Sequence, residues 1–81
     1  MFQQTIFADW KTNTMEIFAK RLRELRLDAG LSARQVGAGI GVAHSTIVRW
    51  EQGSGMPDTL DLIALAKFFN VSTDYLCGLE N

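Results

Sequence analysis

The sequence predicts an all-α protein, a compact five-helix domain preceded by an N-terminal arm. Apolar residues recur at steps of three and four from about residue 15 onward, which is the spacing of one helix face. Glycine, serine or threonine stands at most breaks between these stretches, where helices commonly begin and end. A chain of 81 residues, 47% of them hydrophobic, suits one small domain. We place the arm at residues 1–14 and the domain at residues 15–79.

The first helix is predicted to run from Met15 to Asp28. Thr14 is a suitable N-cap, and Glu16 lies in the first turn, where the helix dipole favours negative charge. Gly30 follows the last turn as a left-handed C-terminal cap. The side chains expected in the core are Ile17, Phe18, Leu22 and Leu25.

Residues 31–53 predict two short helices separated by a glycine turn. Ser32 caps a helix of residues 33–40, Gly41 ends it, and another helix covers residues 44–52. The inner side of this unit is apolar: Leu31, Val36, Ile40, Val42, Ile47 and Trp50. The outer side is polar: Ser32, Arg34, Gln35, His44, Ser45 and Arg49. A short helix, a tight turn and a second helix together fit a DNA major groove.

Two glycines inside the second helix have different expected effects. Each glycine destabilises a helix interior by about 1 kcal/mol relative to alanine. We expect Gly37 at a tight helix crossing, where a side chain would not fit. No such reason is apparent for Gly39, which is expected to leave the helix soft.

The fourth helix is predicted from Thr59 to Phe69, with Asp58 or Thr59 as its cap. Ser72 caps a short final helix, and Gly78 closes it. The core stripe of the fourth helix is Leu62, Leu65, Ala66 and Phe69, and a second apolar stripe is Leu60, Ala64 and Phe68. The arm is apolar at Phe2, Ile6, Phe7 and Trp10. We expect the arm to cover the second stripe, within one chain or between two chains.

Composition excludes several classes of protein. The lone Cys77 cannot form an internal disulfide framework, and one cysteine with one histidine is too few for a structural zinc site. Neither a signal peptide nor an apolar run long enough for a membrane is apparent, so we expect a soluble, cytoplasmic protein. His44 has no predicted nucleophile beside it, so we expect no enzyme, cofactor, metal or small-molecule substrate.

Charge is distributed unevenly along the chain. The net charge is −1, which by itself disfavours binding to a polyanion. Residues 11–50 carry seven basic and three acidic side chains, a net charge of +4, whereas residues 51–81 carry one basic and five acidic side chains, a net charge of −4. Such an asymmetry can orient a small protein on a polyanion.

The chain closely resembles the helix-turn-helix domain of the lambdoid phage repressor and Cro family in three stretches: LRELRLDAGLS, GVAHSTIVRWEQG and FFNVSTDYLCG. That family includes many bacterial xenobiotic-response-type regulators. The resemblance covers roughly residues 17–79, including the spacing of all five helices. It implies a bacterial or phage-encoded, sequence-specific regulator of transcription, repressor-like, whose partner is double-stranded DNA bound as a homodimer. The third helix would read the major groove.

Residue by residue, the resemblance implies two groups of DNA contacts. The expected base contacts are His44, Ser45, Val48 and Arg49. The expected phosphate contacts are Ser32, Arg34, Thr46 and Gln52. It also implies a salt bridge between Arg26 and Glu51 that holds the third helix to the first. Arg21 and Arg23, in contrast, are expected to be solvated.

Three departures from the family pattern weaken the expected affinity for DNA. The family often has glutamine where this chain has Ala33, serine or threonine where it has Ala43, and basic residues in the loop at 53–57, which is uncharged here. A single domain is therefore expected to bind weakly. An alternative interpretation is a protein-interaction module on the same fold that has lost strong DNA binding.

Overall fold

Five helices make up the fold in the computed structural model, which describes residues 9–80. They are α1 (Trp10–Asp28), α2 (Ala33–Ile40), α3 (His44–Glu51), α4 (Thr59–Phe69) and α5 (Thr73–Cys77). The all-α architecture and the order of the helices are as predicted, and the predicted bounds of α2 and α4 are met at both ends. Within the described part of the chain, no helix is long and apolar enough to cross a membrane.

The predicted start of α1 is wrong. The helix begins at Trp10, so Thr14 lies inside it instead of capping it. Asp9 precedes the helix without a side-chain cap, so local capping does not define this end. Trp10 and Ile17 line a shallow cavity together with Leu79. The division of the chain at residues 14 and 15 stays a prediction, and the arm residues Phe2, Ile6 and Phe7 lie outside the described residues.

Local caps define the bounds of the shorter helices. The hydroxyl oxygen of Ser32 accepts a hydrogen bond from the Gln35 N–H at 3.0 Å, and the Gln35 side chain accepts one from the Ser32 N–H at 2.8 Å. This reciprocal capping box satisfies N–H groups that α2 cannot pair internally. At the start of α4 the Asp58 side chain accepts a hydrogen bond from the Asp61 N–H. At the start of α5 the Ser72 side chain accepts one from the Tyr75 N–H.

The core lies between α1, α3, α4 and α5, with α2 closing one side. Its fully buried side chains are Phe18, Leu22, Val36, Ile47, Leu65 and Leu76. Trp50 is 2% exposed and meets Phe18 edge to face, with ring centroids 6.4 Å apart. The interpretation of Trp50 as a core residue is therefore confirmed. Since α3 supplies both Ile47 and Trp50, its orientation is determined by the core.

Arg21 is not a solvated residue as expected. It is partly buried, its Nη1 donates to the backbone oxygens of Tyr75 and Glu80, and its guanidinium lies over the Tyr75 ring at 4.4 Å. It thereby ties α5 and the segment after it to α1. This contact is not predictable from local sequence patterns, because the partners of Arg21 lie more than fifty positions away.

Both glycines of α2 lie in close contacts. A Cβ atom on Gly37 would be 2.6 Å from the backbone oxygen of Val42, so a tight approach is present, but it is made by the turn between α2 and α3 and not by a helix crossing. A Cβ atom on Gly39 would be 2.4 Å from the ring of Phe68. The expectation that Gly39 has no packing role is therefore wrong, because the ring of Phe68 from α4 lies directly against it.

Candidate nucleic-acid interface

The outer side of α3 is exposed and largely polar, whereas the inner side of the same helix is buried. Ile47 and Trp50 point into the core, which leaves the other side of the helix to solvent. The exposed residues there are His44, Ser45, Val48, Arg49 and Gln52, and Thr46 is half-buried at the margin. At 3.6 residues per turn the five exposed positions share one continuous face. We call this set of five the α3 outer face.

The predicted ion pair between α1 and α3 is present. Arg26 Nε donates to Glu51 Oε2 at 2.6 Å, and Arg26 Nη2 donates to Glu51 Oε1 at 2.8 Å. The side chains are only 14% and 5% exposed, so the pair is largely removed from water. These hydrogen bonds to Glu51 raise the pKa of Arg26 above its ordinary value. Arg26 Nη1 also donates to the backbone oxygen of Leu31, so one guanidinium joins α1, α3 and the residue before the cap of α2.

The first turn of α2 presents unpaired N–H groups beside a positive charge. Within residues 9–80, the backbone N–H groups of Ala33 and Arg34 have no hydrogen-bond acceptor. Arg34 is exposed, whereas Ala33 is half-buried and packs against the core. The start of a helix attracts anions through such N–H groups and the helix dipole. This end of α2 can therefore hold a phosphate.

The first turn of α3 has a similar arrangement. Ala43 supplies no side-chain cap, and in the described chain the N–H groups of His44 and Ser45 meet no acceptor. The turn that leads to this end is set by Gly41, whose φ of 82° is in the left-handed region that favours glycine. The starts of α2 and α3 therefore both carry unpaired donors.

Arg49 leans toward the loop that follows α3. A Cβ atom on Gly55 would be 3.3 Å from Arg49 Nε and 3.9 Å from Arg49 Cζ. The missing side chain of Gly55 leaves room for the guanidinium to lie against the loop. Gly55 therefore influences where the charge of Arg49 is held. The sequence analysis did not predict this role, because a loop sequence does not show which of its glycines a side chain from a helix will contact.

The positive charges of this surface are not neutralised by ion pairs. The pair between Arg26 and Glu51 is the only salt bridge among residues 9–80, so neither Arg34 nor Arg49 is matched to a carboxylate. The same part of the chain holds no cluster of side chains suited to a metal ion. The surface thus offers hydrogen-bond donors and positive charge, the properties that bind a polyanion.

The role of Gln35 is more specific than the sequence analysis predicts. It lies on the polar outer side as expected, and its side chain also completes the capping box with Ser32. The signal was present, because serine followed three residues later by glutamine is the capping-box pattern. The Ser32 hydroxyl accepts from Gln35, which leaves its own O–H free to donate.

Comparison with known proteins places these features in a family. A helix-turn-helix family model matches residues 22–76. The chain is 36% identical over 61 residues to the HTH-type transcriptional regulator ImmR of Bacillus subtilis (strain 168), covering 75% of this chain and 48% of ImmR. It is 34% identical over 63 residues to the HTH-type transcriptional activator BcrR of Enterococcus faecalis, covering 78% of this chain and 31% of BcrR. The chain thus spans about half or less of the length of these relatives.

A solved structure gives the same result for the fold. The P22 c2 repressor, in complex with synthetic operator 9T, matches with a TM-score of 0.75 and 28% sequence identity. The match covers 78% of this chain and 96% of the repressor chain. The repressor-like helix-turn-helix fold and the resemblance to phage-type regulators are therefore confirmed.

Proposed function

The chain belongs to the helix-turn-helix family, and from this premise we propose that it is a transcriptional regulator that binds double-stranded DNA sequence-specifically. The observation that carries the proposal is the α3 outer face, which is exposed and polar although the opposite side of the same helix is buried. In this proposal α3 enters the major groove. We expect repression, since one structural neighbour, the P22 c2 repressor, was solved in complex with a synthetic operator.

Base reading is assigned to the exposed side chains of both turns of α3. Arg49 has two guanidinium nitrogens that can donate together to guanine O6 and N7, a contact worth about 1–3 kcal/mol of discrimination. Val48, 38% exposed, can pack on a thymine methyl group. Ser45 can bond to several bases, and His44 can donate to guanine or to phosphate. Arg49 therefore contributes most of the expected specificity.

Phosphate binding is assigned to the ends of α2 and α3. Arg34 adds positive charge beside the unpaired N–H groups at the start of α2, and Ser32 has a free O–H there. Thr46 and Gln52 lie at the margin and at the end of α3. Contacts of this kind position a protein on the duplex without reading its sequence.

Two copies are needed for useful affinity. Ala33 and Ala43 lack polar side chains, and residues 53–57 carry no charge, so one domain offers few phosphate contacts. We propose that the chain binds as a homodimer, which links two weak half-site contacts into one tighter complex. Dimers of this architecture place the reading helices about 34 Å apart, so the operator should be a palindrome with that half-site spacing.

The test begins with selection of bound duplexes from a random DNA pool at low salt. Affinities for the enriched duplex and for a scrambled duplex are then measured with Arg49→Ala and Arg34→Ala. We expect Arg49→Ala to lose about 1–3 kcal/mol of preference between the duplexes. Arg34→Ala should weaken both complexes equally and lower the slope of log affinity against log salt by about one.

Arg23→Ala is the matched control, since Arg23 is an exposed arginine on α1, outside α2 and α3. It should leave both affinities nearly unchanged. Absence of any enriched sequence at low salt would overturn the proposal and favour a protein-interaction module on the same fold. Enrichment that is indifferent to Arg49 would mean that α3 does not read the bases as assigned.

A further inference from the structure

A shallow groove runs along the first two turns of α1, on the side that faces the end of α5. Its lining includes Trp10, Asn13, Thr14, Ile17, Cys77 and Leu79. Its volume is about 410 Å³, and among residues 9–80 no charged side chain lines it. Leu79 is 76% exposed and Trp10 is 47% exposed, so large apolar side chains stand at its rim. We call this surface the α1–α5 groove.

We propose that residues 1–8 of the same chain dock in the α1–α5 groove by running back along α1. The apolar side chains of this segment then cover Trp10 and Leu79. The proposal differs from the expected placement of the arm on the second stripe of α4. It goes beyond the proposed function and does not depend on DNA binding.

The point of attachment favours this occupant. Residue 8 is bonded to Asp9, and Asp9 directly precedes Trp10 at the near end of the groove. From Trp10 to Ile17 the helix rises by about 10 Å, whereas eight extended residues span up to about 26 Å. The segment is therefore long enough to reverse its direction and reach the far end. Its attachment also gives it an effective concentration at the groove of about millimolar or higher, which a partner free in solution rarely has.

The chemistry of the segment matches that of the groove. Residues 1–8 carry no charged side chain, and their large apolar side chains are Phe2, Ile6 and Phe7. Removing these side chains and the exposed rim of the groove from water together is favourable in proportion to the apolar area covered. Backbone N–H and C=O groups of a covered segment need hydrogen-bond partners. Asn13 and Thr14 supply side-chain donors and acceptors in the lining.

The thiol of Cys77 is a reporter that the chain already contains. It is the one cysteine of the sequence, and it lies half-buried in the lining of the groove. The full chain with three substitutions, here called the polar-segment variant, carries Phe2→Gln, Ile6→Gln and Phe7→Gln. Release of the segment should speed the reaction of Cys77 with 5,5′-dithiobis(2-nitrobenzoate) at least about fivefold, because the groove is then open more of the time. An unchanged rate would overturn the inference.

A thermodynamic cycle shows where the segment lies. Leu79→Gln should lower the Tm of the parent chain by about 4 °C, but it should hardly change the Tm of the polar-segment variant, whose contact with Leu79 is already lost. Leu60→Gln is the matched control, since Leu60 is equally exposed at 77% but lies on the second stripe of α4. It should have the same small effect in both chains. If only Leu60→Gln depends on the segment, the segment covers α4 and the inference is overturned.

Protein concentration separates docking within a chain from docking between chains. The reaction rate of Cys77 should be constant between about 1 µM and about 100 µM, because the attached segment is always present at the groove. A rate that falls as the protein is concentrated would mean that a second copy supplies the segment, which overturns the inference.

Circular dichroism shows whether each variant is folded. If the polar-segment variant is not, Phe7→Gln alone takes its place, with the same expected direction of change. Gln4→Ser is the control within the segment, since it leaves the apolar side chains in place, and it should react at the parental rate. Acceleration by Gln4→Ser equal to that of the polar-segment variant would show that the apolar side chains do not hold the segment. No measurement here contains DNA, so failure of the proposed DNA binding leaves this inference standing.

Discussion

The two sides of α3 differ in what holds their side chains. On the inner side, Ile47 and Trp50 are buried and the Glu51 carboxylate receives two hydrogen bonds from Arg26. On the outer side, His44 and Ser45 are exposed, and neither side chain has a hydrogen-bond partner within residues 9–80. The helix is thus rigidly attached along one side and free for contact along the other.

Within the eight residues of α3, one set of side chains is therefore expected to stabilise the fold and another to contact DNA. A rigid inner side holds the outer donors in place before a ligand arrives, which lowers the ordering cost of binding. Substitutions on the outer side, in turn, remove few contacts within the protein. We therefore expect the inner side to govern the free energy of unfolding and the outer side to govern the choice of DNA sequence.

The largest expected effect comes from removing the ion pair of the inner side. Arg26→Ala should lower the free energy of unfolding by about 3 kcal/mol, because it leaves the largely buried Glu51 carboxylate without its partner. Denaturation by urea, followed by circular dichroism, measures this loss. Arg23→Ala, on the same helix but exposed, should change stability by less than about 0.5 kcal/mol.

A double-mutant cycle sharpens this prediction. If Arg26 and Glu51 act as a pair, Arg26→Ala should be much less destabilising in a chain that already carries Glu51→Ala than in the parent chain. Equal losses in both backgrounds would mean that Arg26 acts through Leu31 or through packing and not through Glu51.

A smaller effect is expected at the turn that joins α2 to α3. Gly37→Ala should lower the free energy of unfolding by about 1–2 kcal/mol, since the new methyl group would strike the backbone oxygen of Val42. Gly39→Ala is the matched control in the same helix. There the obstacle is the half-exposed ring of Phe68, which can move, and the better helix propensity of alanine, about 1 kcal/mol, offsets its displacement. Thermal unfolding of both variants would refute this account if Gly39→Ala were the more damaging change.

The smallest effect on stability is expected at the loop that supports the outer side. Gly55→Ala should change the free energy of unfolding by less than about 0.5 kcal/mol, but it should alter the preference among DNA sequences by displacing Arg49. Competition between enriched and scrambled duplexes measures this preference. In an Arg49→Ala background the same change should have no further effect, and Ser54→Ala in the same loop serves as the control. A Gly55→Ala variant with parental preference would show that the loop does not position Arg49.

Interactions between near neighbours made most helix bounds predictable. Ser32 with Gln35 and Asp58 with Asp61 are contacts over three residues, so their patterns are readable without a fold. The start of α1 differs from the prediction, because no side-chain cap marks it and the capping pattern at Thr14 is not used. The contacts of Arg21 and Gly39 are not predictable from near neighbours, since their partners Tyr75 and Phe68 come from distant helices.

The candidate site also combines features that the sequence predicts with features that depend on distant contacts. Periodicity alone assigned Ile47 and Trp50 to the inner side of α3, which left the outer side by elimination. The pairing of Arg26 with Glu51 was predicted only through the resemblance to a known family, because spacing in the sequence does not select one partner among several. No sequence signal could have placed Arg49 beside Gly55, because the direction of a long side chain depends on the space around it.

The number and order of the helices, and the apolar side of each, are therefore predictable from local sequence patterns. Caps and periodicity act over at most four residues, and their physics is the same in any fold. Tertiary contacts, in contrast, set which arginine donates to distant carbonyl oxygens and which glycine lies against a side chain of another helix. These features depend on atoms brought together from distant positions, and close packing makes each of them sensitive to the shape of its neighbours.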